Sequence, residues 1–452
     1  MALDVKFLTE EIIEQYLEDD GNKPWILGFS GGKDSTMLLQ LVWYALRKLK
    51  PEQLVRKVHI ICNNTLVENP LILEFVEDVL HKIEKAAIEE KMPFTVNQTK
   101  PRLEDSFWVN LIGKGYPAPN SVFRWCTERL KISPTTKFIL DKINENGEVI
   151  ILLGTRSDES NNRANSIKKH EIKGNRLRRH VLPNAYVFAA IKDVLTEEVW
   201  SYLLVAPAPW GGMELNRKLV TLYRNASGGD CPLITDISTP SCGQSRFGCW
   251  VCTVVKKDKS MEGLINIGEE WMEPLLEIRD FLSLTVDRDH PEYNAPKYRM
   301  PVRRNGAEGL GPYWPWVRKK VLEQILLAQK EIQETNPNTT LITYQELVAI
   351  QVTWFRDHIF DYDIADIYNA IFDKKFVLSD KAAQRLKKEK DILKSACNVD
   401  EKHFDLINDL LALQKNKVLL MNKRGLQKDL ENRLEQFLDP KKQYDYQTDI
   451  TD

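Results

Sequence analysis

The longest purely aliphatic run in the chain, Val149 to Leu153, falls far short of the ~18 apolar residues that a membrane-spanning helix needs. No membrane partner is expected. Neither sign of charge is in excess, since 63 Lys and Arg stand against 65 Asp and Glu for a net charge of −2. A uniformly basic nucleic-acid coat is thereby excluded, and any nucleic-acid contact must be local. Met1 to Asp20 holds no apolar core of the secretory kind and is acidic at Glu10, Glu11, Glu14, Glu18, Asp19 and Asp20, so a cytoplasmic location is expected. Cysteine is scarce and odd in number, seven in 452 residues. Thiols that cluster are therefore read as ligands or reactive groups before disulfides.

What is present is ordinary globular composition, 43% apolar, in a chain long enough for about three domains. The first half alternates strand and helix patterns. Trp25 to Phe29, Val58 to Cys62, Phe94 to Val96 and Val149 to Leu153 read as buried strands, with helical spacing over Ser35 to Leu49, Leu71 to Glu89 and Pro134 to Ile143 between them. A weaker strand over Tyr186 to Ile191 precedes a helix from Thr196 to Leu204. The expected fold class is α/β, a parallel sheet with right-handed crossovers, over residues 1–212. Residues 213–262 are rich in Gly, Ser, Pro and Cys with little periodicity, and 263–452 read as mostly helical.

Between the first strand and first helix stands Phe29-Ser30-Gly31-Gly32-Lys33-Asp34-Ser35-Thr36. Glycines there let backbone N–H groups converge on an anion, and the helix N-terminus adds roughly half a positive charge. Leu27 and Asp34 stand where a Walker A loop needs Gly and Ser or Thr, so that motif is excluded. The loop resembles that of the ATP pyrophosphatase superfamily, which implies ATP cleavage between the α- and β-phosphates. By that resemblance Ser30, Gly31, Gly32, Ser35 and Thr36 cradle phosphate, Lys33 neutralises charge and Asp34 helps hold Mg²⁺, the last two as catalytic residues.

A second nucleotide segment follows the Val149 strand, Gly154-Thr155-Arg156-Ser157-Asp158-Glu159-Ser160-Asn161-Asn162-Arg163. With the glycine loop it resembles the phosphoadenosine phosphosulfate reductase family, whose corresponding element implies ATP contacts by Gly154, Arg156, Glu159 and Arg163. Asn64 and Thr65, after the second strand, match where that family contacts adenosine, and Arg124 to Lys131 also agrees. The departures are a missing Glu-Cys-Gly-Leu/Ile-His tail and a missing adjacent Cys-Cys pair, which disfavour simple sulfonucleotide reduction.

Cys231, Cys242, Cys249 and Cys252 fall within 22 residues at spacing C-x10-C-x6-C-x2-C. Four thiolates suit a [4Fe–4S] cluster or a tetrahedral zinc, and packed metal-free cysteines are the third reading. The surrounding Ser-Cys-Gly-Gln-Ser-Arg-Phe-Gly-Cys-Trp-Val-Cys-Thr, with Asn-Thr-Leu-Val-Glu-Asn-Pro at 64 to 70, resembles the DndC family, the sulfurtransferases of bacterial DNA phosphorothioation. That resemblance implies ATP hydrolysis to pyrophosphate, a [4Fe–4S] cluster, DNA as substrate, and a cysteine desulfurase and the other Dnd proteins as partners.

Cys126, between Arg124 and Lys131, is expected to have a lowered pKa and to carry a persulfide, the alternative being a thiol packed beside Trp125. Cys62 reads as core, and no role is assigned to Cys397. The basic run containing Lys168, Lys169, Arg176, Arg178 and Arg179 is either a solvated loop or a DNA-backbone contact. Arg299, Arg303 and Arg304 form a weaker candidate.

Overall fold

The computed structural model describes residues 3–18, 23–159, 175–226, 248–289, 292–304, 307–357, 359, 362–373 and short stretches between 388 and 438. Helix α1 (Val5–Leu17) leads into strand β1 (Trp25–Gly28), helix α2 (Lys33–Leu46), β2 (Val58–Asn63), α3 (Pro70–Glu89) and β3 (Phe94–Thr99). Then follow α4 (Ser133–Asn146), β4 (Val149–Leu152), β5 (Leu177–Arg179), β6 (Ala185–Phe188), α5 (Thr196–Val205) and α6 (Gly212–Ala226). The sheet runs in the order β3-β2-β1-β4-β6-β5, parallel throughout except for β5, which pairs antiparallel with β6 at one edge. The α/β architecture expected from the alternation is therefore present.

The apolar strands are buried on both faces because helices cover both. Trp25 and Leu27 of β1 face a core shared with α1, α2, α3, α5 and α6, whereas Ile26 faces a smaller cluster with Ile139 of α4. Strand order reverses at β1: the chain builds outward through β2 and β3, then returns to place β4 on the other side. Loops leaving the carboxyl ends of β1 and β4 thus flank a crevice, the usual ligand position in such a sheet.

Two segments differ from the reading of the sequence. Residues 213–226 lack the irregularity expected of them: they form α6, whose Leu215, Leu219 and Tyr223 recur every fourth residue and join the α/β core. Residues 177–179 of the basic run form an edge strand rather than a loop.

A second core lies beyond the sheet. Helices α7 (Lys259–Asn266), α8 (Glu273–Leu284), α9 (Pro315–Thr335), α10 (Tyr344–Arg356) and α11 (Ile364–Phe372) pack there with residues 107–130 and Trp250. The Pro- and Arg-rich stretch folds as an antiparallel hairpin, β7 (Arg299–Arg304) and β8 (Ala307–Tyr313). Arg299 donates across it to the Gly311 and Leu310 carbonyls at 2.9 and 2.7 Å. No helix among the described residues is long and apolar enough to cross a membrane.

Candidate nucleotide and thiol site

The β1–α2 turn is shaped by its glycines. Gly31 has φ +71°, and a Cβ there would lie 2.3 Å from Val76 Cγ2 of α3. Helix α2 begins at Lys33 with Gly32 at the N-cap and no side-chain cap, so its first N–H groups lack the partner that a Ser or Asp cap supplies. Ser35 Oγ folds back, accepting from the Ser30 amide at 3.2 Å and donating to the Gly32 carbonyl at 3.0 Å. Tyr223, from the unforeseen helix α6, accepts from the Lys33 amide through its hydroxyl at 3.4 Å. Its ring lies 5.7 Å from the Lys33 ammonium.

The second segment closes on the first. A Cβ on Gly154 would stand 3.1 Å from the Asp34 carbonyl and the Ser35 amide nitrogen, close enough that a larger residue would push the two segments apart by a few tenths of an ångström. Arg156 is 1% exposed, and its guanidinium turns inward. Nε donates to Asp34 Oδ1 at 2.6 Å, Nη1 to the Val194 carbonyl at 3.0 Å and Nη2 to Thr196 Oγ1 at 3.1 Å. A buried guanidinium must be paired in this way. Arg156, expected among the ATP contacts, is bonded to Asp34, whose other carboxylate oxygen is 3.2 Å from Lys33 Nζ. Asp158 completes the brace. Burial pushes its carboxyl up, but bonds from the Thr196 hydroxyl and amide and from Arg156 outweigh this and hold it below its ordinary value.

Asn64 and Thr65 are buried in the turn after β2. The Asn64 side chain accepts from the Leu66 amide at 2.8 Å, while Thr65 Oγ1 donates to Glu68 at 2.8 Å and lies 3.3 Å from Cys249 Sγ. The Cys249-Trp250-Val251-Cys252 knuckle docks on this turn. Glu68 bridges Cys249 through the backbone, and the Trp250 amide donates to the Val67 carbonyl at 3.0 Å. Behind the knuckle, Arg279 of α8 is 1% exposed. It donates to the carbonyls of Cys252, Lys256 and Val255.

Cys126 and Lys131 face this knuckle from the turn before α4. The Lys131 ammonium is held above its ordinary pKa chiefly by Cys249, against burial, with Glu68, Cys126 and Cys252 adding to the effect. Burial pushes the Cys249 thiol up to about 12, reinforced by Glu68. Cys126 is raised as well, because burial and Cys252 outweigh Thr127 and Lys131. The expectation of an acidified Cys126 is thus overturned: sequence neighbours supply positive charge, but desolvation of the thiolate is the larger effect. Cys62 is buried in the sheet, and its pKa is pushed to about 12.

Cys231, Cys242, Arg163, Lys168 and Lys169 lie outside the described residues. Among the described residues no three thiol, imidazole or carboxylate groups converge on one metal position. Cys249 and Cys252 nevertheless fit the chemistry of a soft metal centre, being closely spaced thiols held by backbone bonds beside a cation. Arg176 is engaged with Glu14 and Glu11 of α1. Arg178 is partly buried, its pKa lowered by desolvation, and Arg179 is exposed on β5.

Residues 24–255, just over half of the chain, match the family described as phosphoadenosine phosphosulfate reductase domain. An uncharacterized protein of Methanocaldococcus jannaschii is 30% identical over 263 residues, covering 56% of this chain and 42% of that protein. The chain therefore matches less than half the length of that relative. Two solved structures are similar in part. Phosphoadenylyl-sulfate reductase from Candida auris, in a phosphate complex, is 13% identical with a TM-score of 0.29, covering 47% of this chain and 91% of that one. FMN adenylyltransferase from Candida glabrata, in complex with FAD and inorganic pyrophosphate, is 12% identical with a TM-score of 0.29, covering 71% and 91%.

Proposed function

The chain belongs to the phosphoadenosine phosphosulfate reductase domain family, and from that premise we propose that it is an ATP-consuming sulfurtransferase acting on the DNA backbone. The observation that carries this reading is one juxtaposition. An uncapped glycine turn braced by Asp34 and Arg156 lies at the strand reversal, and the turn after the neighbouring strand β2 leads to Cys249. The first is suited to a triphosphate and the second to sulfur.

In this reading the amides of Gly32 and Lys33, exchanging their long 3.4 Å bonds to the Ser30 and Tyr223 hydroxyls, bind ATP phosphates together with the Ser35 hydroxyl, and Lys33 neutralises their charge. Asp34, oriented by Arg156, faces the Mg²⁺ that accompanies the nucleotide. A non-bridging oxygen of the phosphodiester attacks the α-phosphorus and pyrophosphate leaves. Sulfur then takes the place of that oxygen, which departs as part of AMP. A cysteine desulfurase supplies the sulfur as a persulfide on Cys126 or on the thiol centre; its outer sulfur attacks the phosphorus as AMP leaves, a second thiol then attacks the inner sulfur to release the phosphorothioate, and the disulfide so formed is returned to two thiols by an external dithiol reductant, with the other Dnd proteins as partners. Cys231, Cys242, Cys249 and Cys252 are the proposed ligands of a [4Fe–4S] cluster, which when bound supplies a soft, redox-active group beside Lys131.

The test is pyrophosphate release from ATP and Mg²⁺, with and without duplex DNA and a desulfurase. Release that Asp34→Ala abolishes, together with phosphorothioate in the DNA, supports the proposal. If wild type and Asp34→Ala both release nothing, the chain is a nucleotide sensor and the enzyme reading fails.

A further inference from the structure

A cavity of about 440 Å³ lies at the outer carboxyl corner of the sheet, away from the β1 and β4 loops. Its charged lining is Lys100, Arg102, Arg129 and Lys137 against Asp105 and Asp141, so the cations exceed the anions by 4 − 2 = 2. Strand β3 ends at Thr99 and delivers Lys100 and Arg102; Lys137 stands early on α4; Arg129 comes from the turn between Cys126 and α4. Arg129 is fixed by Asp105, by the Tyr116 hydroxyl at 3.3 Å and by the Tyr116 ring, which uses the Asp105 charge internally. The side chains of Lys100, Arg102 and Lys137 are exposed, with no hydrogen bond or ion pair among the described residues.

We propose that this cavity binds a phosphate of a nucleic-acid backbone, separately from the ATP loop. Its volume is in the range of small-ligand sites, and with Asp105 paired to Arg129 the remaining Lys100, Arg102 and Lys137 exceed Asp141 by two charges, a field that an anion relieves. The sole ring in the lining is Phe138, already packed edge-on against His59 and covered by the Lys142 ammonium. With one partly engaged aromatic ring against four cations in the lining, recognition falls on phosphate rather than on sequence.

The place in the fold connects this cavity to the thiols. Arg129 and Lys131 lie on one turn, the first lining the cavity and the second facing Cys249, Cys126 and Cys252. Thr135 at the start of α4 ties that turn to β2, its one hydroxyl proton lying within reach of the Lys131 carbonyl at 2.7 Å and Asn63 Oδ1 at 2.9 Å. A backbone phosphate held in the cavity places the same strand beside the thiol centre. Only the identity of the phosphate carrier as nucleic acid rests on the proposed function; the anion site itself does not.

The experiment compares the full chain with the triple variant Lys100→Ala, Arg102→Ala, Lys137→Ala. Affinity for a fluorescent DNA duplex is measured across salt, ATP affinity by calorimetry, inorganic phosphate affinity by the same method, and folding by thermal melting. The expected result is at least a tenfold loss of DNA affinity, with the slope of log K against log salt reduced by about two to three. ATP affinity and melting temperature should stay unchanged. Unchanged DNA affinity and slope in the triple variant overturn the proposal. A loss confined to ATP binding also overturns it and makes the cavity a free-nucleotide site. If wild type binds no DNA, the nucleic-acid reading fails; weaker phosphate binding by the triple variant then keeps the anion site, and equal phosphate binding removes it. Lys137→Glu, a single exposed change, should weaken DNA binding further than Lys137→Ala.

Discussion

Arg156 Nε lies 2.6 Å from Asp34 Oδ1, joining the loop after β4 to the first turn of α2 across the point where strand order reverses. The pair ties two segments separated by more than a hundred residues, and it is buried on the arginine side. Removing Arg156 strips Asp34 of one of its two cations, Lys33 remaining at 3.2 Å, and leaves the Val194 carbonyl without its buried donor, at a cost of about 1–3 kcal/mol. Arg156→Ala should therefore lower the melting temperature and reduce pyrophosphate release at least a hundredfold at saturating ATP. A group that only touched phosphate would raise KM and leave the melting temperature alone, so the two readouts together assign the role.

Gly31→Ala tests the shape of the glycine turn. The left-handed φ costs a non-glycine residue roughly 1–2 kcal/mol, and the new methyl would collide with Val76. ATP binding should fall at least tenfold. Adding Val76→Ala should relieve the collision but not the backbone strain, restoring part of the affinity. Full restoration by the double variant would show that only the collision mattered.

Arg279→Ala tests the support of the cysteine knuckle. The guanidinium donates to three consecutive parts of the chain after Cys249, at Cys252, Val255 and Lys256, and losing it leaves buried carbonyls unpaired at about 1–3 kcal/mol each. Anaerobically purified wild type should show the visible absorption and iron and sulfide content of a cluster. Arg279→Ala should lose most of it and Cys249→Ser nearly all. A colourless wild type holding one zinc would reassign the thiols to a structural metal.

The sheet was legible because its strands are short, apolar and separated by helices of correct period, so Trp25, Val58, Phe94 and Val149 mark four of the six strands without help. The glycine turn was equally plain, since Ser30 to Thr36 combines backbone freedom with polar side chains at a strand-to-helix junction. Tyr223 was not, because its helix follows a Pro- and Gly-rich stretch and precedes the cysteines, and composition masked the fourfold spacing of Leu215, Leu219 and Tyr223. Arg156 was found, but its protein partners were not. Sequence shows a guanidinium near a strand end, whereas its direction depends on Asp34, Val194 and Thr196, which only tertiary packing brings together. Cys126 failed for a related reason: the neighbours that count are Cys252 and the surrounding apolar groups, not Arg124.

His59 offers a pH test independent of catalysis. It lies on β2, 8% exposed, with Nδ1 2.7 Å from Thr95 Oγ1. Burial, with the Lys142 and Lys57 charges, lowers its pKa from 6.5 to about 4. The folded protein therefore resists a proton that the unfolded chain accepts, so the unfolded state binds more protons between these two values. Stability is full above about pH 6.5, declines as pH falls toward 4 and levels below it; for a shift of that size the loss is on the order of 3 kcal/mol. His59→Gln keeps a polar group for Thr95 and removes the titration. Denaturant unfolding at pH 7.5 and 4.5 should show a larger drop for wild type than for the variant. Equal drops would mean that the imidazole is protonated as readily in the folded chain as in the unfolded one.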